Sequence, residues 1–87
     1  MTTTTHAAGA LTHILITAAE HEVLVAGFTF DRKILTIDVN GDRYDAERLA
    51  DALECLRAPD ETSILDLKTL RWIGTVACVD VRIEVVE

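Results

Sequence analysis

The sequence predicts an α+β fold, a small antiparallel sheet of about five strands with one amphipathic helix packed on one face. Three observations lead there. The chain has 87 residues, enough for one core and too few for two. Several segments are rich in Val, Ile and Thr, the residues that suit a pleated, half-buried surface. A single stretch, Asp45 to Ala58, repeats its apolar residues at helical spacing. The apolar fraction of 49% supplies a core, and with only four aromatic residues that core has to be mostly aliphatic.

Taken in order, residues 1–9 read as a flexible N-terminal tail and residues 10–87 as the domain. The tail, four threonines followed by a histidine and small residues, has no apolar period and little to bury. Leu11 to Thr17 and Glu22 to Phe30 read as two strands joined by Ala18-Ala19-Glu20-His21. Leu11, Leu15, Ala18, Ala19 and Glu22 fit a helix as well, because period alone does not separate the two in short apolar runs. The β-branched content favours strands.

Asp31-Arg32-Lys33 is a polar break. Ile34 to Val39 then alternates, with Leu35, Ile37 and Val39 on one side, as in a strand with one buried face. Asn40-Gly41 suits the positive φ angles of a tight turn. The helix follows, with Asp45 as its cap, Tyr44 and Leu49 at the spacing of a hydrophobic staple, and Pro59 ending it. Leu49, Ala52, Leu53 and Leu56 form its apolar stripe. Ser63 to Leu67 reads as a short strand and Lys68 to Arg71 as a turn or a single helical turn. Trp72 to Val86 reads as one long strand, buried on both faces at first and on one face later, with Gly74 marking a bulge or bend. On this reading Cys78 is buried, while Cys55 lies at the polar margin of the helix stripe. The order strand, helix, then Ile64-Leu65-Asp66-Leu67 resembles an anti-sigma-factor antagonist domain. Trp72-Ile73-Gly74-Thr75, however, leads into a strand where that family has a phosphorylatable Ser or Thr and a helix, so no residues are carried across.

Charge narrows the function. Fifteen acidic against eight basic residues give a net charge of −7, which opposes contact with phosphate backbones and anionic membranes and suits a basic protein partner. The apolar stretch from Leu11 to Phe30 is interrupted by His13, Glu20, His21 and Glu22, unlike a membrane span. With no export signal in the first residues, Cys55 and Cys78 read as free thiols of a cytoplasmic protein.

Chemistry finds little to stand on. His6, His13 and His21 lack metal-ligand spacing, so no metal or other cofactor is expected. Ser63, the sole serine, has no evident base, and Gly27, Gly41 and Gly74 make no phosphate-cradling loop. Asp38, Asp42 and Asp45 are explained by turn and cap chemistry. Two surfaces remain. Glu47, Asp51 and Glu54 form an acidic ridge on the outward helix face, a dock for a basic partner. The C-terminal strand, longer than usual, is expected to expose an edge through which copies pair, with Trp72, Val79, Val81, Ile83 and Val85 at the oligomer interface. The resulting expectation is a non-enzymatic protein-interaction or assembly subunit that forms a homo-oligomer. The alternative is a small acidic inhibitor or regulator occupying a basic, nucleic-acid-binding site on a partner protein.

Overall fold

The computed structural model describes residues 3–62 and 68–86. Seven elements follow one another: α1 (Thr3–Glu20), β1 (Val25–Asp31), β2 (Ile34–Val39), α2 (Arg43–Ala52), β3 (Leu56–Thr62), β4 (Lys68–Val76) and β5 (Val79–Val86). The strands form one sheet in the order β1-β2-β5-β4-β3. This is the α+β architecture the sequence predicts, with two differences. The sheet is mixed, because β2 and β5 run parallel, and two helices, not one, pack on the sheet.

The additional helix is α1, formed where the sequence suggested a tail and then a strand. Ala7, Ala10, Ile14, Thr17 and Ala18 are buried at helical spacing, and their small size lets the helix approach the sheet closely. The threonines that argued against a helix are satisfied within it. Thr12 and Thr17 donate to the carbonyls of Ala8 and His13, at 2.9 and 2.8 Å. Tertiary burial overrides local β-propensity here.

Helix α2 is capped three residues before the expected cap, by Asp42. Asp42 accepts from the backbone N–H groups of Tyr44 and Asp45, and Asp45 accepts from Asp42 N–H in return, completing a capping box. The Tyr44–Leu49 staple does not form, and Tyr44 is exposed. Gly41 has no positive φ. A side chain there would collide with the Asp45 carboxylate, which folds back over it.

Both helices end in Schellman motifs. Val23 N–H donates to Ala18 C=O and Glu22 N–H to Ala19 C=O. Cys55 N–H donates to Ala50 C=O and Glu54 N–H to Asp51 C=O. The left-handed residue in each is a glutamate, Glu22 at φ 57° and Glu54 at φ 59°. The chain therefore turns at Glu54, not at Pro59, and Pro59 lies within strand β3.

The C-terminal run is a hairpin, not one strand. Ala77 and Cys78 adopt φ of 49° and 66° between the paired residues Val76 and Val79, the geometry of a two-residue type I′ turn. Arg32 and Lys33, at 53° and 66°, make the same turn between β1 and β2. Cys78 is consequently exposed at a turn and Cys55 buried, the reverse of expectation. Gly74 is no bulge: it pairs regularly with Val81. A Cβ there would lie 2.8 Å from Cys55 Sγ and 3.1 Å from its Cα, so its missing side chain lets Cys55 pack against β4. Lys68 to Arg71, expected as a turn, opens β4; the strand expected over Ser63 to Leu67 lies outside the described residues.

The core lies between the helices and one face of the sheet. Ile14, Leu49 and Leu53 meet Leu35, Ile37, Leu70, Val81 and Ile83, and Trp72 is its one aromatic. Full burial of a residue such as Ile83, 0% exposed, contributes about 1.5–3 kcal/mol.

Candidate interaction surface

The residues expected at an oligomer interface are core residues instead. Trp72, Val79, Val81, Ile83 and Val85 all point at the helices and are 4% exposed or less. Strand β5 lies inside the sheet, bonded to β2 on one side and β4 on the other, so the expected exposed edge is replaced by an interior strand. The alternation from Val79 to Val85 was right, but the fifteen-residue reach was not: the turn at Ala77-Cys78 folds the run onto itself, so that Trp72 and Val76 share the buried face and Ile73 and Thr75 are exposed. What β5 shows to solvent is its other face, Asp80, Arg82, Glu84 and Val86.

The acidic ridge is exposed. Glu47 and Asp51 stand one turn apart on α2, and Glu54 follows beyond the helix end in its left-handed position. Arg48 turns away from them to Asp45, 2.6 Å off. That pairing and the hydrogen bond with the Asp42 backbone hold the Asp45 carboxyl below the usual carboxylate range, the backbone bond being the larger cause.

Opposite the helices the sheet is uncovered. Pairing register places Thr29, Thr36, Arg82, Ile73 and Leu56 in one row across it. A groove of about 490 Å³ runs over Ile34, Leu56, Ile73 and Arg82. Leu56 and Ile73 are 75% and 51% exposed, and Asp80 and Arg82 are the charged residues in the groove's lining.

A third surface, not anticipated from the sequence, lies at strand β1. Phe28 and Phe30 pair with Ile37 and Leu35, so both rings point to the helix side, yet they remain 55% and 36% exposed. Helix α1 runs beside them. Its His13 faces a hollow shared with Ala52 and Leu53 at the end of α2. Leu15 lies about 200° further around the helix, on the flank away from α2, with Leu11 beside it. Leu15 is exposed and Leu11 partly so. Two of the four aromatic residues thus sit at one margin of the sheet. The signal was present in the sequence as Phe28-Thr29-Phe30, but only the sheet order reveals that this strand is an edge.

Among the described residues no group of three or more His, Cys, Asp or Glu side chains is placed to hold a metal ion, and no helix is long and apolar enough to cross a membrane. Burial raises the pKa of the Cys55 thiol, which disfavours the nucleophilic thiolate. Comparison with known proteins finds no matching family model, no matching curated protein and no matching solved structure.

Proposed function

We propose that this chain is a non-enzymatic protein-interaction or assembly subunit that associates with copies of itself in the cytoplasm. The observation that supports this is where its large apolar side chains are spent. Leu15, Leu24, Phe28 and Phe30 are exposed on the segments around β1, in a chain whose four aromatic residues are scarce. Large apolar side chains left exposed around one strand are a feature of interaction sites. Light scattering during size-exclusion chromatography, over a wide concentration range, tests the reading. An oligomer that dissociates on dilution is expected, and a monomer at every concentration overturns it.

A second reading rests on the α2 ridge, an acidic inhibitor or regulator that occupies a basic site on another protein. Glu47, Asp51 and Glu54 support it by standing exposed. It predicts salt-sensitive binding to an immobilised arginine-rich peptide, lost in the Glu47→Gln, Asp51→Asn, Glu54→Gln triple variant. Binding unchanged by that variant rejects it.

A further inference from the structure

Resting on the self-association reading, we propose that the partner is a second copy docked edge to edge, β1 against β1, antiparallel about a twofold axis through Thr29. The two sheets then join into one of ten strands.

Backbone geometry singles out this register. The two-residue turn makes Asp31 and Ile34 a hydrogen-bonded pair. Along β1 the inward-bonded residues are therefore Asp31, Thr29 and Gly27. Phe30 and Phe28 alternate with them and turn their N–H and C=O groups to the open edge. Among the described residues no side chain hydrogen-bonds to these groups. A twofold axis at Thr29 sets Phe28 of one copy opposite Phe30 of the other, so the outward groups of each satisfy the other. Directly opposed residues share a face, so the same register stacks four phenyl rings across the junction on the helix side. The Leu15 flank of each α1 borders them. Aromatic cross-strand pairs are among the more stabilising sheet contacts.

Charge supports an antiparallel second copy over an unrelated strand. At one end of β1 the turn carries Arg32 and Lys33, with the Asp31 carboxylate 3.9 Å from Arg32 Nε, which leaves that end net basic on an acidic chain. Before the other end stand Glu20 and Glu22. All four are exposed. Antiparallel pairing brings the basic turn of each copy level with the start of the partner strand, on the side of its Glu20 and Glu22, at both ends of the junction. Parallel pairing would set basic turn beside basic turn. The bulge at Ala26 limits the straight edge to Gly27–Asp31, about 17 Å at a strand rise of ~3.4 Å per residue.

The test combines three variants of the full chain with light scattering and amide hydrogen exchange. In the native chain, the Phe28 and Phe30 amides should gain protection as concentration rises into the dimer range. Phe28→Lys should abolish the dimer while the circular dichroism of the monomer is kept, since that ring is half exposed. Arg32→Glu with Lys33→Glu should weaken the dimer about tenfold or more. Left-handed glutamates are already tolerated at Glu22 and Glu54, so the turn should still form. Adding Glu20→Lys and Glu22→Lys to that variant should restore the affinity. A dimer indifferent to all three overturns the β1 edge and leaves self-association standing. A charge-swapped chain that stays weak overturns the antiparallel arrangement, and a monomer at every concentration overturns both proposals.

Discussion

Strands β1 and β3 are the two edges of one sheet, each of seven residues, and they are finished in opposite ways. Strand β3 is sealed. Pro59 has no N–H to offer, and a register shift between Ala58 and Glu61 interrupts the ladder. Arg71 donates to Pro59 C=O from Nε and Nη2, at 3.2 and 3.1 Å, and Arg57 donates to Ala58 C=O at 2.7 Å. Arg57 also lies over the Trp72 ring, 4.9 Å from its centroid, and with Lys68 it brackets Asp60. Strand β1 has its bulge at one end and two phenylalanines on the straight run, with charges only at its ends. An edge with a proline, a register shift and arginines bonded to its carbonyls resists pairing; an edge with apolar side chains and charged ends of opposite sign invites a copy of itself. The contrast teaches that exposure of a strand is not enough to make an interface, because proteins block the edges they do not use.

The comparison can be broken most strongly at the sealed side. Gly74→Ala pushes a methyl into Cys55, the residue that leads into β3, and overpacking of this kind costs about 1–3 kcal/mol. Thermal or urea unfolding should show that loss. Because β1 is untouched, the folded protein's self-association should be unchanged. Replacing Arg32-Lys33 by Asn-Gly separates the two properties at the open side. Residues suited to the type I′ turn should stabilise the monomer by about 1 kcal/mol, while removal of the basic pair weakens the dimer. Urea midpoint and dissociation constant should therefore both rise, as monomer stability increases while dimer affinity falls.

The smallest effect concerns acid. Hydrogen bonds from Arg57 and then Lys68 hold the Asp60 carboxyl below the usual carboxylate range. A carboxyl with a depressed folded pKa stabilises the fold above its unfolded value, near pH 4, and that contribution is lost as pH falls through the folded value. Asp60→Asn should flatten part of the acid limb of a stability–pH curve below about pH 4 and leave the curve at pH 7 shifted only slightly, since the group is solvent-screened. A variant whose acid limb superimposes on the native one shows that the cluster does not contribute.

The clean alternation from Ile34 to Val39 and the Leu49, Leu53 spacing of α2 were legible because each segment carries a single period over its whole length. The acidic helix face was legible for the same reason. The aliphatic core also followed from composition. Three features were not legible. Helix α1 was hidden because its Thr and Ile residues favour strands locally, and its small buried residues gain only when a sheet lies beneath them. The Ala77-Cys78 turn was hidden because neither residue is one that ordinarily marks positive φ, so an alternating run looked continuous across it. Strand β1 looked like any other half-buried strand.

What the amino-acid sequence determined by itself is therefore local: that Ile34 to Val39 alternates, that a helix covers Asp45 to Ala52, and that the core is aliphatic. The tertiary structure decided the rest, that β5 is interior, that β3 and β1 are edges, and that Phe28 and Phe30 are left uncovered. The reason is physical. Periodicity reports which face of a segment avoids water, but strand order is set by contacts between residues distant in the chain, and only those contacts determine which backbone groups remain without a neighbour.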